Sequence, residues 1–107
     1  MAYQKNKKIA YQKIKDYIKL LKQNGLDIWR VYLYGSYATN RFTSESDIDL
    51  AIFWNKDDID GFQEDAQLMK LTRKVDLRIE PHSFAKLDFD ETDPFVREII
   101  TKGKRII

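Results

Sequence analysis

Between residues 5 and 24, apolar positions recur at three- and four-residue spacing: Ala10, Ile14, Tyr17, Ile18 and Leu21. That period predicts one stripe of an amphipathic helix. Lys7, Lys8, Lys13, Lys15, Lys19 and Lys22 fall mostly off the stripe, as a solvated face does. Asn24-Gly25 is a good stop, because both residues tolerate left-handed backbone geometry. The period then changes to two. Residues 28–34, Ile-Trp-Arg-Val-Tyr-Leu-Tyr, are strand formers. Trp29, Val31 and Leu33 are predicted on one face, with Arg30, Tyr32 and Tyr34 on the other. Gly35-Ser36 ends this strand, and Tyr37–Arg41 is predicted as a short helix with its N-terminus at Ser36. A second strand, 47–54, places Ile48, Leu50, Ile52 and Trp54 on one face and Asp47, Asp49, Ala51 and Phe53 on the other. After an acidic loop, Asn55–Gly61, a helix is predicted over Phe62–Arg73 with Phe62, Ala66 and Met69 inward and Leu68 beside them. Val75–Glu80 is predicted as the third strand. Val75, Leu77 and Ile79 share one face, and Asp76, Arg78 and Glu80 the other. Pro81 cannot donate a ladder hydrogen bond and is taken to end it. The last helix is predicted over Asp93–Lys102, with Asp93 as N-cap, Pro94 at the first position and Gly103 as the stop.

Alternating strands and helices predict an α/β layer fold. At 107 residues, the expectation is one domain spanning 1–107. Hydrophobic residues at 43% and charged residues at 34% place the chain in the ordinary globular class. There is no cysteine, which excludes disulfides and thiolate metal sites. The net charge of +2 is too small to argue for direct nucleic-acid binding. Residues 1–8 are polar and lack the apolar core of a signal peptide, and no apolar run is long enough to span a membrane. The default expectation is a cytoplasmic protein with no membrane partner.

The candidate chemistry lies in residues 35–49. A Gly-Ser turn follows an apolar strand, and Asp47 and Asp49 open the next strand. A small-residue turn lets backbone N–H groups approach phosphate, so the Gly35 and Ser36 amides and the Ser36 hydroxyl are candidate triphosphate contacts. Asp47 and Asp49 are two apart on a strand, so their side chains point the same way, with Cα atoms about 6.6–6.8 Å apart. They head a run, Ile48 to Trp54, that looks buried on both faces, where unpaired charge is costly without a cation. Glu45 adds to the local negative charge. Mg2+ suits such a place, since it takes a few carboxylates together with substrate phosphates. Asp76, on the polar side of its predicted strand, is the candidate third acid, holding a metal or taking the acceptor proton. Two such ions, about 3.5–4 Å apart, stabilise the attacking and leaving oxygens of an in-line displacement. Arg41 is within reach of a phosphate from the short helix, although an arginine there is more often a salt-bridge partner.

The order of strand, Gly35-Ser36-Tyr37-Ala38-Thr39-Asn40, Ser46-Asp47-Ile48-Asp49-Leu50, and Val75-Asp76-Leu77 resembles the minimal nucleotidyltransferases of the polymerase-beta-like superfamily. The resemblance covers roughly residues 10–80, with its specific motif at 35–50, and the tail Val96–Lys104 looks like the closing helix and glycine of these proteins. It implies a small mixed β-sheet flanked by helices, an α/β (α+β) fold. It also implies transfer of a nucleoside monophosphate, usually AMP from ATP, to an acceptor hydroxyl with two Mg2+ ions. On this pattern Asp47, Asp49 and Asp76 are the catalytic and metal-holding residues, and Gly35, Ser36, Ser46 and Arg41 bind the nucleotide. Minimal members often pair with a small helical HEPN-type protein in toxin–antitoxin systems, so a partner protein is the expected acceptor. Asn40 stands where the family has glycine, and asparagine tolerates left-handed geometry better than most residues.

Other signals are weaker. Lys56–Gln67 has the outline of a calcium loop but lacks its first and last carboxylates. Gly35-Ser36 is followed by no Gly-Lys-Ser/Thr, so it is not a Walker A loop. His82 is expected to be a surface histidine. Tyr32, Tyr34 and Tyr37 lie close enough to the turn to stack a base, but aromatics on sheet faces are usually core. An alternative function for the chain is a non-catalytic module that neutralises a helical partner by occlusion. Another is a catalytic subunit serving a small-molecule acceptor.

Overall fold

A computed structural model describes residues 2–107, with side chains described from Lys5 onward. Helix α1 spans Ala2–Gln23 and strand β1 Ile28–Tyr34, followed by a single 3-10 turn, Gly35–Tyr37. Strand β2 spans Ile48–Trp54, helix α2 Phe62–Thr72 and strand β3 Ile79–Phe84. A 3-10 turn at Lys86–Asp88 leads to helix α3, Pro94–Lys102, and the two-residue strand β4, Lys104–Arg105. The sheet is mixed, in the order β3-β2-β1-β4. β1 is antiparallel to β2 and β4, whereas β2 and β3 are parallel and joined through α2.

The alternation in β2 separates two cores. Ile48, Leu50, Ile52 and Trp54 pack with Ile14, Tyr17 and Leu21 of α1 and Leu68 of α2. Ala51 and Phe53 face the other way and pack with Tyr32 and with Val96 and Ile99 of α3. The sheet is therefore layered between α1 and α2 on one side and α3 on the other. Asp49 belongs by alternation to the α3 side. Asp93 caps α3 by accepting from the Phe95 and Val96 amides at 2.9 and 3.3 Å. Among the described residues no helix is long and apolar enough to cross a membrane.

Local expectations differ from the fold in several places. The β1–β2 register shifts between Ile28 and Arg30, and this irregularity turns Trp29 onto the Tyr32 face, against Phe89. The predicted helix at Tyr37–Arg41 is replaced by the 3-10 turn, which begins two residues earlier. In α2, Phe62, Ala66 and Met69 are exposed, and Glu64, Leu68, Leu71 and Thr72 are inward. The two buried polar side chains of α2 are satisfied: Glu64 accepts from the Gly61 amide at 2.9 Å and the Thr72 hydroxyl donates to the Met69 carbonyl at 2.8 Å. The largest displacement is in β3, which starts at Ile79 rather than Val75 and runs through Pro81 to Phe84. As the edge strand, β3 can carry a proline whose missing N–H faces away from the ladder. Leu77, predicted on an inward face, is exposed in the turn before it.

Candidate active site

The site is built where β1 ends beside the start of β2. Gly35 follows β1 with φ of 73°, a region that side chains make costly. A β-carbon on Gly35 would also overlap Oδ2 of Asp49, so the turn and the carboxylate meet only because residue 35 is glycine. The turn is closed by bonds to its own carbonyls: the Ala38 and Thr39 amides donate to Gly35 O at 3.2 and 3.3 Å, and the Arg41 amide to Ser36 O at 2.9 Å. Asn40 takes a positive φ of 60°, the left-handed geometry that a glycine would otherwise supply. Buried Tyr37 stacks on Phe42 with centroids 4.2 Å apart and anchors the loop that returns to β2.

Ser46 closes that loop. Its hydroxyl accepts from the Thr43 amide at 2.8 Å, and its own amide donates to Thr43 O at 3.1 Å. Asp47 then lies exposed at the mouth and Asp49 half-buried behind it. Asp49 pairs in register with Tyr34 on one side and Glu80 on the other. Burial raises the Asp49 pKa first of all, the negative charges of Asp47 and Glu80 raise it further, and His82 partly offsets them. The Tyr34 hydroxyl is raised too, by burial and then by Asp49 and Glu80. His82 is exposed, as expected, yet its ring lies 6.2 Å from that of Tyr34 and its charge reaches Asp49. Tyr32 and Tyr37 are core residues, and Tyr34 is only partly buried.

Asp76 is placed elsewhere. It lies in the turn before β3, held by Arg78 through Nε to Oδ1 at 3.1 Å and Nη2 to Oδ2 at 2.8 Å, and its charged neighbours are Arg78 and Lys13. The guanidinium keeps its pKa below the ordinary carboxylate value. The structure thus does not bring Asp76 to Asp47 and Asp49; Glu80 stands there instead. The sequence pattern puts Glu80 at the last position of a strand over 75–80, on the face of Asp76 and Arg78, and gives no sign that the pairing with β2 falls at that end. Parallel pairing of β2 with a strand starting at Ile79 brings it into view. Arg41 is exposed on the loop after the turn.

Asp47, Asp49 and Glu80 offer hard carboxylate oxygens, the donor chemistry that Mg2+ selects. Burial first, and then the charges of Asp47 and Glu80, disfavour the Asp49 carboxylate, a cost that a cation held among them would relieve. As they are oriented, no group of three His, Cys, Asp or Glu side chains among the described residues has already converged on a metal position.

A family model for polymerase beta nucleotidyltransferases matches residues 12–107. The chain belongs to that nucleotidyltransferase family. A crystal structure from Sulfolobus solfataricus, solved as a candidate nucleotidyltransferase, shares the fold at a TM-score of 0.72 and 12% identity, covering 98% of this chain and 86% of that one. A chain of the mutant toxin–antitoxin MntA-HpeT matches at a TM-score of 0.60 and 26% identity, covering 87% of this chain and 70% of that one. No curated protein is significantly similar in sequence. The mixed sheet with flanking helices is therefore the polymerase-beta-like nucleotidyltransferase fold, and the protein is a nucleotidyltransferase.

Proposed function

We propose that this nucleotidyltransferase transfers AMP from Mg2+-bound ATP to a hydroxyl on a partner protein. The observation that carries the reading is the register pairing of Asp49 with Glu80, with Asp47 two residues earlier on the same face. These three carboxylates would hold Mg2+, which supplies charge neutralisation at the phosphates and at the leaving pyrophosphate. The Gly35 and Ser36 amides and the Ser36 hydroxyl cradle the triphosphate, and Arg41 is the nearby cation of the loop. Ser46 acts by holding the turn that presents Asp47. The acceptor oxygen bonds to the α-phosphorus, the bond from that phosphorus to the β-phosphate bridging oxygen breaks, and pyrophosphate leaves. Glu80 is suited to take the acceptor proton on a carboxylate oxygen, because it lies on the open edge strand. Asp76, which the family resemblance assigned to the third acid, instead fixes the loop before Asp47 through Arg78.

The MntA-HpeT likeness supports a small helical HEPN-type protein as the partner and acceptor. The test is transfer of label from ATP carrying a radioactive α-phosphate, with Mg2+, into proteins of a lysate of the source cell. A labelled protein band that disappears with Glu80→Gln supports the reading. Absence of label together with absence of Mg·ATP binding overturns it.

A further inference from the structure

The acids and the Gly35 turn account for the reacting end of a nucleotide and leave a neighbouring cavity unassigned. It encloses about 310 Å3 between the turn and α3. Tyr34, Gly35 and Thr39 line one side, and Phe95, Glu98 and Lys102 the other. The wall is mostly apolar. Tyr34 and Phe95 meet edge to face, with centroids 5.9 Å apart and planes at 88°. Phe95 is 53% exposed, so a large apolar ring is left open to whatever enters. Glu98 and Lys102 pair at 3.2 Å with both side chains solvated, setting an acceptor and a donor at the rim. Gly35 belongs to cavity and reacting centre alike, since a β-carbon on it would overlap the Asp49 carboxylate.

We propose that this cavity is the subsite for the nucleoside, base and ribose together, of the donor triphosphate. The inference rests on the nucleotidyl-transfer reading above and adds where the substrate's non-reacting half is held. Its volume lies at the lower end of small-molecule sites, about 300–1,000 Å3, which fits one nucleoside rather than a folded peptide segment. An open aromatic ring suits the face of any base, because base–aromatic stacking needs a π-surface and little else. The Glu98 carboxylate is the acceptor for ribose hydroxyls, and Lys102 the donor. Continuity through Gly35 lets one molecule fill the cavity while its α-phosphate lies beside Asp49.

Calorimetry with Mg2+ separates the two halves of the ligand. ATP and inorganic tripolyphosphate are titrated into the wild type, Phe95→Ala and Phe95→Tyr. The expected result is an ATP affinity about ten-fold weaker in Phe95→Ala, retained in Phe95→Tyr, with tripolyphosphate affinity within about two-fold in all three. ATP affinity unchanged by Phe95→Ala, or equal loss of both ligands, overturns the inference and leaves the transfer reading standing. If Phe95→Ala reduces labelling of the acceptor while ATP affinity holds, the cavity belongs to the acceptor and the inference falls. A wild type that binds neither ligand overturns the transfer reading, and this inference with it.

Discussion

Asp76 accepts three hydrogen bonds from Arg78, one from its amide and two from its guanidinium, and the same guanidinium donates to the Ser44 carbonyl at 2.8 Å. The pair is a brace between the turn before β3 and the loop before Asp47. A brace and a metal-holding acid respond differently to loss of charge. Asp76→Asn is expected to lower the transfer rate only about three-fold. Glu80→Gln is expected to lower it about 100-fold or more, as removal of a reacting acid or base does. Rates of AMP transfer by both proteins at saturating Mg·ATP check this. A collapse with Asp76→Asn and tolerance of Glu80→Gln would restore the assignment made from the family pattern.

The same brace gives a pH dependence. The Arg78 hydrogen bonds hold the folded Asp76 pKa below its ordinary value of 3.8. For an acid with a depressed folded pKa, the stabilisation is complete above the unfolded value and is lost as pH falls through the folded one. Asp76→Asn should therefore cost about 1–2 kcal/mol near neutrality, for a charge-assisted pair that is partly solvated. The cost should shrink as pH drops below 3.8. Thermal unfolding of wild type and variant at pH 7 and in steps below pH 4 measures it. A gap that stays constant into acid contradicts the assignment.

The strands that place Asp47 and Asp49 were legible because each is half-buried in a definite way. Ile48, Leu50, Ile52 and Trp54 alternate with Asp49, Ala51 and Phe53, and both sets pack as that period requires. The Asp93-Pro94 start of α3 was equally legible, since its capping bonds are local. What could not be read locally depended on tertiary surroundings. Pro81 is a strand breaker in general, but not on the outer strand of a sheet, and strand order is not written in a local pattern. Pro81 hides where β3 ends, and the Val75-Asp76-Leu77 alternation that imitates its start lies in the turn, so the pairing with β2, not the local pattern, picks out Glu80. Glu64 and Thr72 look like solvent residues, but their bonds to Gly61 and Met69 let them turn inward while Phe62 and Met69 stay out. Trp29 changed faces at a register shift, which alternation alone does not reveal.

At Asp49 the proposed function opposes stability. Its folded pKa is raised, chiefly by burial and then by Asp47 and Glu80. The folded state therefore binds the proton more tightly than the unfolded one, and stability falls as pH rises from the unfolded value through the folded one. Asp49→Asn removes that penalty. Without Mg2+ at pH 7 it should raise Tm by about 2–4 °C while abolishing transfer. Added Mg2+ should raise the wild-type Tm and leave the variant nearly unchanged. Differential scanning fluorimetry with and without Mg2+ gives all four values. A variant less stable than the wild type in the metal-free state would contradict the account of Asp49 as a strained carboxylate.

Gly35 couples the backbone to that carboxylate. At φ of 73°, Gly35→Ala pays for left-handed geometry, about 1–2 kcal/mol, and its methyl must also displace Asp49 Oδ2. Gly25, with φ of 75° and open space where a β-carbon would go, supplies the control. Both alanine variants should lose about the same backbone stability, but only Gly35→Ala moves an acid of the proposed reacting centre. The expected outcome is a similar fall in Tm for the two proteins. Transfer should fall at least about 100-fold for Gly35→Ala and less than about three-fold for Gly25→Ala. Comparing kcat with Tm for the pair decides it, because equal activities would mean that contact between the turn and Asp49 is not part of the working site.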